Sequence, residues 1–202
     1  LQDSLPPVPF EAIRRQMEAA FGCPPEELFD HVEPEAVGSA SIAQVHRAVT
    51  HDGRAVAVKV QYPGVDKAIR GDLDNAGLLF GAMKAMFPGL DPKPLVAELR
   101  ERFSEELDYR IEADNQKLFA DYYRGHPFIH VPEVVDELST GRVLTTELAT
   151  GARFAEVKTW PKDQRDLAAE TIYRFVFGSL YRIGAFNGDP HPGNYLFGPD
   201  GR

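Results

Sequence analysis

The chain has 202 residues, enough for one large domain or two small lobes with a real core. Its 43% hydrophobic and 26% charged residues are those of a soluble globular protein, and a formal net charge of −9 excludes the basic footprint of a nucleic-acid binder. A single cysteine, Cys23, excludes a disulfide framework and suits a reducing compartment, while the longest apolar run, Ala76 to Phe87, contains Lys84 and is too short to span a bilayer.

In chain order, Pro9 to Phe21 predicts a short amphipathic helix, with Phe10, Ile13, Met17 and Ala20 at helical spacing and Gly22 closing it. Pro24-Pro25-Glu26-Glu27 starts another turn. From about Val32 the period changes to that of strands. Ile42–Val49 and Arg54–Gln61 flank Asp52-Gly53, a strong hairpin signal. Val65 to Phe87 returns to helical spacing, and Leu95 to about Tyr123 predicts one long, charged helix. Val131–Val135 and Arg142–Leu148 predict strands around the turn Ser139-Thr140-Gly141, and Asp163–Ile183 a further helix. The chain begins without Met and without a visible signal peptide. Phe197 to Arg202 has the form of a hairpin turn with no returning strand, so both ends are expected to be cut.

Five stretches carry residues suited to chemistry. Val37-Gly38-Ser39-Ala40-Ser41-Ile42 is a turn of small residues before a strand; small side chains let backbone N–H groups approach phosphate, although an ordinary tight turn reads the same. In Val56-Ala57-Val58-Lys59-Val60, strand alternation sends the valines to one face and Ala57, Lys59 and Gln61 to the other. Lys59 thus stands among small residues, as a phosphate-contacting lysine does on the third strand of a kinase. A cleft lysine wants a carboxylate, and Glu106, Asp108 and Glu112 supply candidates. On a continuous helix Asp108 and Glu112 share a face while Glu106 lies about 200° round from Asp108. Arg142 to Leu148 with Ala149-Thr150-Gly151 has the form of a strand entering a linker, where Glu147 and Leu148 would meet adenine through the backbone. Finally, Gly188-Asp189-Pro190-His191-Pro192-Gly193-Asn194 sets an Asp and an Asn five positions apart on a stretch whose prolines forbid a helix. That is the spacing of a phosphotransferase catalytic loop. No second histidine has ligand spacing to His191, which is expected to shape the loop.

Together these motifs resemble the UbiB/AarF/ADCK-type atypical kinases over nearly the whole chain. The signatures are Ser39-Ala40-Ser41-Ile42-Ala43-Gln44-Val45-His46-Arg47-Ala48, Val56 to Val65, Glu106-Leu107-Asp108-Tyr109 with Glu112-Ala113, and Gly188 to Asn194. The resemblance implies an α+β, protein-kinase-like fold. Residues 1–148 would form an N-lobe with an antiparallel sheet and added helices, and 149–202 the start of a helical C-lobe. It implies ATP and Mg²⁺ as cofactors. Gly38, Ser39, Ala40 and Ser41 would form the phosphate loop, Lys59 would be the phosphate lysine with Glu112 its partner, and Glu106 and Asp108 the E-x-D signature. Asp189 would be catalytic and Asn194 the metal ligand. Gly38 and Ser39 replace the alanines usual in the family, Asn187 replaces a common His, and the family's K-x-G-Q and D-F-G motifs are absent. The family is tied to isoprenoid-quinone biosynthesis and lipid homeostasis. The implied partners are therefore nucleotide and lipid- or quinone-biosynthesis proteins, with no nucleic acid. The implied location is cytoplasmic, with at most peripheral contact at the inner face of a membrane. An aminoglycoside- or choline-type small-molecule kinase shares the last loop but is disfavoured by Ser41–His46 and the E-x-D signature. A nucleotide-binding pseudokinase that acts as a scaffold uses the same residues and stays open.

Overall fold

The structure is a computed structural model that describes residues 8–86, 93–186, 188 and 191–198. Its elements divide between two units, one formed by residues up to Asp114 together with Val134–Thr146, the other by Asn115–Glu133 together with residues from Glu147 onward. The chain passes between the units at three points, after Asp114, Glu133 and Thr146, so Asn115–Glu133 groups with the later residues.

In the first unit, α1 (Phe10–Phe21) is followed by a 3₁₀ turn (Pro25–Glu27) and three strands: β1 (Phe29–Ser39), β2 (Ala43–Thr50) and β3 (Ala55–Gln61). Helices α2 (Val65–Met86) and α3 (Lys93–Glu106) come next, then α4 (Tyr109–Tyr123), whose residues from Asn115 belong to the second unit, and β4 (Val143–Glu147), whose last residue does. The sheet order is β1-β2-β3-β4, with β1–β2 and β2–β3 antiparallel. The β2–β3 turn is the one expected, with Gly53 at φ +82° and its N–H bonded to the Thr50 carbonyl at 2.8 Å. β1 is irregular: its register against β2 shifts at three places, one of them between Val32 and Ala36, where Pro34 offers no N–H to the ladder.

Alternation decides the two faces of the sheet. Val56, Val58 and Val60 of β3 are at most 1% exposed and pack with Ile13 and Met17 of α1, Phe29, Ala48 and Val143. Burying a side chain of that size contributes about 1.5–3 kcal/mol, so α1 is held by its apolar stripe. Polar side chains share this face, Gln44 and His46 among them. Gln44 pairs opposite Val60 and His46 opposite Val58, and both are at most 1% exposed. Gln44 is satisfied by the backbone of Val8, accepting its N–H at 3.0 Å and donating to its carbonyl at 3.3 Å. His46 has Nδ1 2.8 Å from the Glu33 carbonyl, beside the Pro34 irregularity, and Nε2 3.2 Å from the Gln44 amide nitrogen. A neutral ring donating from Nδ1 and accepting at Nε2 satisfies both contacts.

The second unit contains β5 (Ala152–Arg153), a one-turn α5 (Phe154–Val157), α6 (Lys162–Gly178) and β6 (Leu196–Phe197). β5 pairs antiparallel with β6, packing Phe197 against Val157 and Ala168. At Gly151 a Cβ would lie 3.0 Å from the Phe197 backbone nitrogen and oxygen, so only glycine permits the approach. The expected single helix to Ile183 instead passes into a π turn over Ser179–Ile183. Side chains intrude there: the Phe175 carbonyl also accepts the Tyr123 hydroxyl at 3.2 Å and the Ser179 hydroxyl, which widens the ladder. Val131–Val135, expected as a strand, contributes only an isolated bridge from Val134 to Thr146, because Asp136–Leu138 turns as a 3₁₀ helix.

Burial holds the His46 ring below its usual pKa of 6.5, with the Glu33 carbonyl opposing only in part. The unfolded chain therefore binds this proton more readily than the folded one. The stabilisation is complete above about pH 6.5 and is lost as pH falls below that value. Urea denaturation at about pH 7.5 and 5.5 is expected to show a steeper loss of stability in the parent than in His46→Gln; equal slopes would remove the assignment.

Candidate functional site

The Lys59 ammonium donates to both carboxylate oxygens of Glu112, each at 2.8 Å, across 53 residues of sequence. Lys59 stands on the sheet face opposite the valines, beside Val45 of β2. Its side chain is 25% exposed and that of Glu112 43%. An ion pair so accessible contributes about 0.2–1 kcal/mol at most. Its two-oxygen geometry is therefore poor value as a stability device, and better understood as a way of fixing one ammonium. The same nitrogen lies 4.8 Å from the centre of the Tyr109 ring, within cation–π range. Tyr109 is 2% exposed and packs with Ala43, Ala113 and Leu144 on this face.

What brings Glu112 here is a break in the chain's longest expected helix. The segment predicted as continuous from Leu95 to Tyr123 is two helices, α3 ending at Glu106 and α4 starting at Tyr109. The i→i−4 ladder fails because tertiary partners take its groups. The Leu107 carbonyl accepts the Gln61 side-chain amide at 2.8 Å, and the Tyr109 N–H donates to the Gly141 carbonyl at 3.0 Å. The Asp108 carboxylate then accepts the Arg110 N–H at 3.1 Å, the geometry of an N-cap on α4. Gly141 is tied to this arrangement, since a Cβ there would stand 3.1 Å from the Asp108 Oδ1. The helical-wheel separation of Glu106 from Asp108 therefore does not apply. Glu106 ends α3 and is exposed, whereas Asp108 is half-buried at the start of α4.

The other expected residues fall as follows. Gly38 and Ser39 are the exposed end of β1, opposite Val45 and Gln44. Ala40 and Ala43 close the β1–β2 turn, the Ala40 N–H reaching the Ala43 carbonyl at 2.8 Å. Among the described residues no backbone acceptor takes the Ser41 or Ile42 N–H at the tip, the arrangement an anion-binding turn needs. Glu147 ends β4, its N–H donating to the Glu133 carbonyl at 2.8 Å and its carboxylate 2.8 Å from His130 Nε2, with Leu148 half-buried beside it. Asn194 closes a 3₁₀ turn over Pro192–Asn194, its N–H bonded to the His191 carbonyl at 2.9 Å. His191 shapes this turn as expected, its Nδ1 accepting the Gly193 N–H at 3.0 Å. Asp189 and Asn187 lie outside the described residues. Tyr109, Gln61 and Gly141 are site-forming residues that periodicity and spacing do not mark. Gln61 and Tyr109 lie inside the quoted signatures, so proximity to Lys59 and Asp108 was the available clue. Gly141 had only its turn position.

Comparison with known proteins places the chain in a family. The family model for the ABC1 atypical kinase-like domain matches residues 1–202. The chain is 37% identical over 192 residues to "Atypical kinase coq-8, mitochondrial" of Caenorhabditis elegans, covering 95% of this chain and 25% of that protein. It is 34% identical over 200 residues to "Probable protein kinase UbiB" of Marinobacter nauticus, covering 96% and 36%. A solved structure of Rv3197 from Mycobacterium tuberculosis, in complex with erythromycin, superposes with a TM-score of 0.88 at 42% identity, covering 98% of this chain and 50% of that one. The fold is protein-kinase-like, and the chain spans half or less of the length of these proteins.

The helix break makes a measurable demand. Gln61→Ala leaves the part-buried Leu107 carbonyl without its donor and is expected to cost about 1–3 kcal/mol. Asp108→Ala should cost about 0.5–2 kcal/mol and Asp108→Asn much less, because Asn also caps. Denaturant titration of the three variants checks this; equal losses for the two Asp108 variants would remove the cap assignment.

Proposed function

Because the chain belongs to the ABC1 atypical kinase-like family, we propose that it is the nucleotide-binding part of a UbiB-type ATP-dependent kinase or ATPase. The observation that carries this reading is the Lys59–Glu112 pair, with both carboxylate oxygens 2.8 Å from one ammonium. An ammonium has three N–H bonds. Glu112 occupies two and leaves the third for a phosphate oxygen of ATP. The tip of the small-residue turn at Gly38–Ser41 offers the backbone N–H groups of Ser41 and Ile42 to the same kind of ligand. Asn194 offers a neutral amide oxygen, a hard donor suited to Mg²⁺. The metal, when bound, neutralises charge on the phosphates. Asp189 is the residue expected to orient or accept a proton from the attacking hydroxyl or water. Catalysis in this reading is positioning and charge stabilisation, with no covalent intermediate on the protein. The family resemblance extends the proposal to isoprenoid-quinone or lipid metabolism in the cytoplasm, with peripheral membrane contact. Among the described residues no helix is long and apolar enough to cross a membrane.

Calorimetric titration with Mg·ADP tests the binding half. Lys59→Ala and Glu112→Ala are each expected to weaken affinity by about tenfold or more, the scale of a charged hydrogen bond lost. Unchanged affinity in both would overturn the reading. Turnover belongs to the longest natural form of the protein. There Asp189→Asn is expected to abolish ATP hydrolysis or transfer while keeping ATP binding, and Asn194→Ala to weaken only the Mg²⁺-dependent part of binding. Parent protein that binds ATP but gives no phosphate release and no transfer would indicate a pseudokinase scaffold instead.

A further inference from the structure

Tyr109 is the first residue of α4, and its N–H is fixed to the Gly141 carbonyl at 3.0 Å. Glu112 follows three positions later on the same helical face. One turn of helix therefore presents both a π face and a carboxylate to a single ammonium: the ring centre is 4.8 Å from Lys59 Nζ, and both Glu112 oxygens are at 2.8 Å. The ring itself cannot swing away, being 2% exposed and enclosed by Ala43, Ala113 and Leu144. Its hydroxyl is buried and, among the described residues, has no hydrogen-bond partner. An orphaned buried hydroxyl is a cost without a structural return. The useful part of Tyr109, on this geometry, is its ring.

We propose that Tyr109 is a positioning residue whose ring acts as a fixed platform for the Lys59 ammonium, limiting it to the orientation in which its remaining N–H faces a phosphate group. The proposal rests on the nucleotide reading above. Carboxylate alone restrains an ammonium loosely, because the nitrogen can rotate about the two oxygens. A ring face on another side removes that freedom and attracts the cation electrostatically. Burial, and then the carboxylates of Glu112 and Glu106, hold the Tyr109 phenol far above its usual pKa. It therefore stays neutral, and its ring keeps the negative face that a cation meets.

The test separates ring from hydroxyl by comparing Tyr109→Leu with Tyr109→Phe. In the nucleotide-free chain, the NMR signal of the Lys59 ε-methylene is expected upfield of its usual position through the ring current, in the parent and in Tyr109→Phe, but not in Tyr109→Leu. Affinity for Mg·ADP is expected to fall about three- to tenfold in Tyr109→Leu, the scale of a cation–π contact. Affinity for adenosine, which has no phosphate, should stay within twofold, and Tyr109→Phe should restore ADP binding. Tyr109→Phe should also denature at an equal or higher urea midpoint, since it discards the orphaned hydroxyl. An unshifted Lys59 signal in the parent overturns the proposal. So does a Tyr109→Phe that binds ADP as poorly as Tyr109→Leu, which would make the hydroxyl the working group. Equal losses for adenosine and ADP overturn it too, as damage to the fold. A parent that shows the ring-current shift yet binds no ADP overturns the nucleotide reading and supports the ring's hold on Lys59.

Discussion

The interruption of the helical segment at Leu107 and Asp108 is the constraint on which the arrangement around Lys59 depends. A continuous helix would place the i→i−4 bonds of Leu107 and Tyr109 within itself. Here the Gln61 amide and the Gly141 carbonyl hold those groups instead, at 2.8 and 3.0 Å. Both come from the neighbourhood of the sheet, one from the end of β3 and one from the turn before β4. The sheet thereby dictates where α4 begins, and the start of α4 dictates where Tyr109 and Glu112 stand. Lys59 sits two residues before Gln61 on the same face of the same strand. The ammonium and the group that anchors its partner helix are thus set by one short strand, so an error in one propagates to the other.

This arrangement changes the meaning of the sequence signatures. Gln44 and His46 lie in a motif that looks chemical, yet both are buried on the valine face and spend their polar atoms on Val8, Glu33 and each other. Gln61 spends its amide on a helix break, and Asp108 caps a helix. Polar side chains in such places are costly if left alone and specific when paired, because few alternative packings satisfy them. They fix register: a slip of β2 by one residue would turn Gln44 and His46 outward and put Arg47 into the core. Much of what stands out in these stretches of the sequence is therefore polar pairing that fixes register and helix start.

The parts legible in the sequence were those governed by local periodicity or local turn chemistry. The alternation of Val56, Val58 and Val60 against Lys59 fixed the faces of β3, and Asp52-Gly53 fixed its hairpin. The helix from Phe10 was readable from four apolar residues at helical spacing. What escaped was governed by distant partners. Residues Leu95 to Tyr123 have helical composition throughout, and nothing within that window says that Gln61 and Gly141, 46 and 32 residues away from Leu107 and Tyr109, will claim two backbone groups. The π turn at Ser179 has the same origin, in a hydroxyl from Tyr123 56 residues earlier. The Lys59–Glu112 pair came from family resemblance rather than spacing. Its route could not have been derived from a helix drawn as unbroken.

The pair is also complete within one of the two structural units, since Lys59, Tyr109, Glu112, Gln61 and Gly141 all belong to the first. Ordering a lysine side chain costs on the order of 1.5–2 kcal/mol of rotamer entropy. When the order is imposed by the folding of a single sheet and the helix it anchors, that loss is already incurred before any ligand arrives. An ammonium of fixed direction is the condition under which a charge contributes most to binding. In the second unit, the turn Pro192–Asn194 is shaped by His191, whose Nδ1 accepts the Gly193 N–H. The Tyr109 ring and the Glu112 carboxylate together hold Lys59 from more than one side.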